Sequence, residues 1–300
     1  MIRQYLLLLR LPNAFTTPSN ILTGYFAVVL PSYANASNLS ILMLSSALLY
    51  ISGIVFNDYF DIEVDRHERP FRPLASGKVT KQKAFAIAIA AMITANFLAF
   101  IVSTASFIVT IILSATVIGY DYRLKQTLAG PVTMGSARFL NIFLGASPAL
   151  AGMLFSNNNF LLLRLILVSM LMLLYVLAIS ILSRREIGET TRSKRTIIGP
   201  FIIIFAVIGT IVFARFFNIF QVDLVPSLVL FAGIIIITFK QTVFQDYSSR
   251  GIQKAIKTLV LSIIVLDSIF VSGTASIYYG LATLLPMIPA MTLARKLYVT

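Results

Sequence analysis

Apolar runs close to the length of a bilayer crossing follow one another along almost the whole chain, and this constrains the fold more than any other feature. They fall at about 13–31, 39–57, 84–101, 105–122, 131–155, 160–182, 197–217, 224–240, 258–275 and 277–294; a membrane-spanning helix needs ~20 residues. In lipid each segment must satisfy its own backbone N–H and C=O groups, so the runs are read as helices. The expected fold is all-α: a polytopic transmembrane helical bundle of nine to ten helices with a charged cytoplasmic mouth, forming one domain over residues 1–300. Composition agrees, with 58% hydrophobic residues, 12% charged and a mean hydropathy of +0.90, where a soluble domain carries about 25% charged residues. The first run holds Asn, Gly and Pro and lacks a small-residue cleavage site, so it is read as a retained span and not as a removed signal.

The loops around 57–83, 121–130, 183–196 and 241–257 and both termini hold nearly all of the Lys and Arg. Only Arg164 and Arg215 sit near the other side, and Arg138 falls inside a run. The bias of positive charge toward the cytoplasm predicts that both termini and every charged loop face the cytoplasm of an integral protein of the cell membrane. The net charge of +13 follows from this bias and favours membrane lipids with anionic headgroups and phosphorylated substrates. No soluble basic domain is left to bind nucleic acid. The chain has no cysteine and one histidine, His67, which excludes disulfides, thiolate chemistry and His-rich metal sites.

Chemistry concentrates where the second run ends, in Asn57-Asp58-Tyr59-Phe60-Asp61-Ile62-Glu63-Val64-Asp65-Arg66. Asn57, Asp61 and Asp65 recur every four residues, so on a continuing helix they stack on one face, with Asp58 three residues from Asp61. Mg²⁺ takes oxygen ligands and usually keeps one or two carboxylates together with a substrate's phosphate oxygens. Asn57, Asp58, Asp61 and Asp65 are therefore candidate metal ligands. Arg66, Arg69, Arg72 and Lys78 follow at once and suit the anion. In Arg69-Pro70-Phe71-Arg72-Pro73-Leu74-Ala75-Ser76-Gly77 two prolines end the helix and hold the two arginines in a fixed relation. The plainer alternative is a charged loop that only obeys the orientation bias.

In the run that starts near residue 131, Arg138 and Asn141 lie one turn apart. A buried arginine is costly in lipid unless it faces a polar cavity or a partner, so Arg138 is expected to face a chamber. Asp267 poses the same problem; it could pair with Arg138, take a proton from a bound hydroxyl, or tie helices together.

The Asn57-Asp58…Asp61…Asp65 run followed by Arg69 to Gly77 resembles the first signature of the UbiA superfamily of intramembrane prenyltransferases. The resemblance implies a bundle of about nine helices and a Mg²⁺-bound prenyl diphosphate whose prenyl group passes to a lipophilic acceptor. Tyr120-Asp121-Tyr122-Arg123-Leu124-Lys125 is similar to the family's Tyr-plus-Lys segment, which implies that Lys125 binds diphosphate and that a tyrosine, taken as Tyr122, lies near the reacting carbon. On this reading Asp61, Asp65, Lys125, Tyr122 and Arg138 are catalytic. Asn57, Arg66, Arg69, Arg72, Lys125, Arg138, Asn141, Arg185 and Lys194 hold the prenyl diphosphate.

The second aspartate motif of the family is missing. In its place Ser183 to Thr196 carries Glu186 and Glu189 among five bases. Either this glutamate pair binds a second metal, or the bases replace one. The Ser183-Arg184-Arg185-Glu186 segment, Gly130-Pro131…Arg138…Asn141 and the tail Arg250…Lys254…Asp267 look like the EboC-type branch of the superfamily. A non-catalytic lipid-binding protein, or a transporter of lipid precursors with the same fold, is the alternative.

Overall fold

The computed structural model describes residues 2–155, 159–184, 194–246 and 248–297, and among these the chain is helical with no strand. The helices are α1 (Ile2–Leu8), α2 (Leu11–Ala14), α3 (Thr16–Val28), α4 (Ala36–Phe60), α5 (Ile62–Glu68), α6 (Lys81–Val102), α7 (Thr104–Tyr122), α8 (Gly130–Phe155), α9 (Asn159–Arg184), α10 (Lys194–Phe216), α11 (Val225–Lys240), α12 (Ser249–Thr274), α13 (Ile277–Thr283) and α14 (Met287–Leu297). Starts follow capping chemistry. The side chains of Asn35, Thr80, Ser103 and Ser248 accept from the backbone N–H three residues on, and so open α4, α6, α7 and α12.

Seven of these helices are long and apolar enough to cross a membrane, which makes this an integral membrane protein. Ten runs were expected, and three depart for physical reasons. The first becomes α3, whose 13 residues span only ~20 Å at 1.5 Å per residue. The fifth becomes α8, which has the length but carries Arg138 and Asn141 within it. The last breaks into α13 and α14 at residues 284–286, where Pro286 closes the gap.

Two apolar cores share the bundle. One is built mainly from α4, α6 and α7, and the other from α8 to α12. α3 lies between them against α4, α8, α9 and α12, with 11 of its 13 residues buried although four of those are Ser or Thr and one is Asn. Its crossing with α8 depends on two glycines. A Cβ on Gly24 would sit 1.8 Å from the Ile142 carbonyl oxygen, and one on Gly145 would sit 2.2 Å from that of Ile21, so the two backbones touch where any side chain would force them apart. Large apolar side chains such as Phe97, Phe100, Ile108 and Ile112 are exposed on α6 and α7 and form a face suited to lipid.

Candidate active site

The acidic run lies where α4 gives way to α5. The backbone bends at Asp61 (φ −90°, ψ 4°), yet the Asp61 N–H still donates to the Asn57 carbonyl at 3.0 Å and the Asp65 N–H to that of Asp61 at 2.8 Å. The four-residue stack expected of Asn57, Asp61 and Asp65 therefore survives the bend.

Each acid meets a base. Arg72 donates to Asp65 at 2.6 Å and to Asp58 at 3.1 Å, Lys125 donates to Asp61 at 2.5 Å, and Arg10 pairs with Asp58. Asp58, only 2% exposed, thus serves two guanidinium groups. Arg10 adopts a left-handed backbone (φ 41°) just before α2, a conformation that costs a non-glycine residue about 1–3 kcal/mol and tends to occur at functional sites. The loop that follows α5 brings Arg72 back over the acids through the Arg72 N–H to Arg69 carbonyl bond of 3.0 Å. Lys125 is held by Arg184, at the end of α9, whose Nη2 donates to the carbonyls of Lys125 (2.8 Å) and Thr127 (2.6 Å).

A cavity of about 510 Å³ opens beside this cluster, within the range of small-molecule sites. Arg10, Asn57, Arg69, Arg72, Tyr120 and Asp121 line its charged end. Ile54, Leu113, Val117, Met134, Val176, Ile179, Val260 and Ile263 make much of the rest apolar. Arg138 and Asn141 also line it, as expected of a buried arginine that faces a chamber. Arg138 donates to the Thr16 carbonyl (3.2 Å), Thr16 Oγ1 (2.9 Å) and Asn20 Oδ1 (2.9 Å), and its guanidinium lies 5.6 Å from the centre of the Tyr50 ring. Asn141 donates to the Thr17 carbonyl at 3.1 Å and accepts from Ser46 at 2.7 Å.

Two sequence-based expectations fall elsewhere. Tyr122 is 70% exposed, with its ring against Phe60; Tyr120, two residues earlier, lines the cavity instead. Arg66 forks onto Glu63 at 2.9 and 3.0 Å on an exposed face of α5, away from the other bases. Arg185, Glu186 and Glu189 lie outside the described residues, as does the side chain of Lys194. Asp267 is fully buried and accepts from Ser19, Asn20 and Thr23. Of its three expected roles it takes the one that ties helices together. Arg10 and Asp121 went unrecognised in the sequence, Arg10 because 48 residues separate it from Asp58.

The donor set near the acids is oxygen-only: Asn57, Asp61, Asp65 and Asp121, the last accepting from Asn57 Nδ2 at 3.1 Å. Among the described residues no three acidic, cysteine or histidine side chains converge on one point. An oxygen-only set suits a hard cation, which takes one or two carboxylates and draws its other ligands from phosphate and water.

Residues 19–250 match the UbiA prenyltransferase family. A digeranylgeranylglyceryl phosphate synthase of Saccharolobus solfataricus is 28% identical over 162 residues, covering 54% of this chain and 55% of that protein. The synthase of Methanosphaera stadtmanae is 34% identical over 112 residues, covering 36% and 41%. The chain thus spans about half the length of the curated relatives it matches, and the names of these two do not bear out the expected EboC-type branch. Among solved structures, a UbiA homologue from Aeropyrum pernix K1 superposes with a TM-score of 0.67 at 15% identity, covering 85% of this chain and 94% of that one. One from Archaeoglobus fulgidus, bound to GPP and Mg²⁺, does so at 0.63 and 15%, covering 93% and 99%. These structures share the fold.

Proposed function

The chain belongs to the UbiA prenyltransferase family, and from that premise we propose that it moves a prenyl group from an allylic prenyl diphosphate to the hydroxyl of a lipid glyceryl phosphate within the membrane. The observation that carries this reading is the cavity with Arg10, Arg69, Arg72 and one carboxylate, Asp121, at one end and mainly aliphatic side chains along the rest, a shape matched to a diphosphate joined to an isoprenoid tail. Relatives named as digeranylgeranylglyceryl phosphate synthases support this acceptor class. Such an acceptor is lipophilic and anionic, which suits a site with Arg138 on its wall as well as Arg69 and Arg72 at its charged end.

In the reaction the bond from the allylic carbon to the diphosphate oxygen breaks, and its electron pair leaves with pyrophosphate. The acceptor oxygen bonds to that carbon and releases its proton. Asn57, Asp61 and Asp65 would hold Mg²⁺, which supplies positive charge where the leaving group becomes more negative. Arg69, Arg72 and Lys125 add fixed positive charge at the same end, and such preorganised charge favours the transition state over the ground state. Tyr120 offers a ring face to a carbon that develops cationic character. Asp121 is the carboxylate on the cavity wall, and we assign it the released proton. The aliphatic lining keeps water from the electrophile. On this reading Arg66, Arg185 and Lys194 would add positive charge for the diphosphate, and Glu186 and Glu189 would hold a second metal. The charged end faces the cytoplasm by the distribution of Lys and Arg.

Transport and passive lipid binding are less favoured, because neither needs a cluster of paired acids and bases beside the charged end of an apolar cavity. The test is turnover. Purified protein in lipid nanodiscs would receive geranylgeranyl diphosphate, geranylgeranylglyceryl phosphate and Mg²⁺, with products read by lipid mass spectrometry. The proposal expects an acceptor heavier by one geranylgeranyl group, with release of pyrophosphate. Recovery of unchanged acceptor while donor is bound would overturn it.

A further inference from the structure

Asp267 lies in the C-terminal half of α12, is fully buried and does not line the cavity. It nevertheless meets three donors on α3: Ser19 Oγ at 2.6 Å and Asn20 Nδ2 at 2.8 Å on one oxygen, and Thr23 Oγ1 at 2.7 Å on the other. A carboxylate can only accept and a guanidinium can only donate, so the amide between them has one workable orientation. With its Nδ2 given to Asp267, Asn20 turns its Oδ1 to Arg138 Nη1 (2.9 Å) and to Asn141 Nδ2 (3.3 Å). Both of those residues line the cavity.

We propose that Asp267 is a positioning residue for the reaction: through the Asn20 amide it fixes the polarity of a buried relay and so sets the orientation of Arg138 and Asn141 on the cavity wall. Thr16 completes the hold on Arg138 with its carbonyl and its hydroxyl, and the tight α3–α8 crossing at Gly24 and Gly145 gives these groups no slack. Among the described residues three of the five guanidinium N–H donors are taken, which leaves two for an anion in the cavity. Without negative charge at position 267 the Asn20 amide can flip and present its NH₂ to Arg138, donor facing donor. A buried group left in that arrangement moves or binds water. The effect on turnover rests on the prenyl transfer proposed above, whereas the effect on Arg138 does not.

The experiment compares Asp267→Asn, Asn20→Asp and the double variant carrying both. In the double variant the carboxylate sits directly beside Arg138 and the amide behind it; the Ser19 hydroxyl donates to the Thr16 carbonyl, 3.0 Å away, and accepts from the new NH₂, so every donor again faces an acceptor. Full-length protein in nanodiscs is labelled with phenylglyoxal, and modification of Arg138 is read by mass spectrometry. Asp267→Asn is expected to raise Arg138 labelling several-fold, and the double variant to return it to the native level. In the transfer assay Asp267→Asn should lower kcat/KM for the acceptor by about tenfold while the KM for geranylgeranyl diphosphate stays within about twofold, and the double variant should recover most of the loss. If Asp267→Asn folds with native labelling and native acceptor kinetics, Asp267 serves packing alone and the proposal is overturned. Should both single variants fail to fold, the double variant decides: folded protein with exposed Arg138 contradicts the relay. A wild-type protein that transfers nothing would overturn the proposed function, and the labelling pattern would still sustain or refute the relay.

Discussion

Arg72 and Arg69 stand three residues apart in one loop and do different work. Arg72 is the partner of Asp65 and one of two partners of Asp58, and removing one member of a buried ion pair costs about 3–5 kcal/mol because it strands the other. Arg72→Ala should therefore lower the Tm of the purified protein markedly. Arg69 lines the cavity and, among the described residues, pairs with no acid, so Arg69→Ala should keep the native Tm while donor affinity falls about tenfold. A similar contrast separates the tyrosines at the end of α7. Tyr120→Phe should slow turnover several-fold, and Tyr122→Phe should leave it within about twofold, as measured by steady-state assay. The sequence made the Asn57, Asp61 and Asp65 stack legible because helical spacing is local. It could not distinguish Tyr120 from Tyr122, since that depends on how α7 is rotated in the bundle and on where it ends, at Tyr122.

Among the elements, α3 departs furthest from expectation and matters most. Its run reads as a span, yet a helix of 13 residues with Ser19, Asn20 and Thr23 turned to Asp267 on α12 is too short to cross a membrane; it survives because its neighbours bury it and supply hydrogen bonds. Its sequence signalled burial through apolar content and gave no sign of the short length, which the surrounding helices impose. The glycines sort by the same logic. Gly24→Ala drives a methyl group into the Ile142 carbonyl and should cost at least about 3 kcal/mol, visible as loss of the folded peak in size-exclusion chromatography. Gly233 also lies in an apolar run but has nothing within 4 Å of its added Cβ, so Gly233→Ala should be neutral or stabilise by up to about 1 kcal/mol.

At the scale of the whole molecule, polar chemistry collects at one end of the bundle. The ends of α4, α7 and α9 meet there through the Asn57–Asp121, Lys125–Asp61 and Arg184–Lys125 contacts, and α14 returns to the same region by packing on α2 beside Arg10. α4, with 25 residues, places Asn38 ~30 Å or more from that end. A chain without native cysteine permits a clean topology test: a single cysteine at Ser76 should react with impermeant maleimide only from the cytoplasmic side, and one at Asn38 only from outside. The expected side rests on the distribution of Lys and Arg alone. The convergence of Arg10, Asp58 and Arg72 was not legible in the sequence, because it joins segments far apart in the chain. The central claim is that the Asn57, Asp61 and Asp65 face holds a prenyl diphosphate through a metal, and the binding of labelled geranylgeranyl diphosphate to wild-type protein and to Asp61→Asn, each with Mg²⁺ and with chelator, tests it most directly. Wild-type affinity should fall at least about tenfold on chelation, with Asp61→Asn weak in both conditions and still folded. Equal affinity in all four would contradict the account.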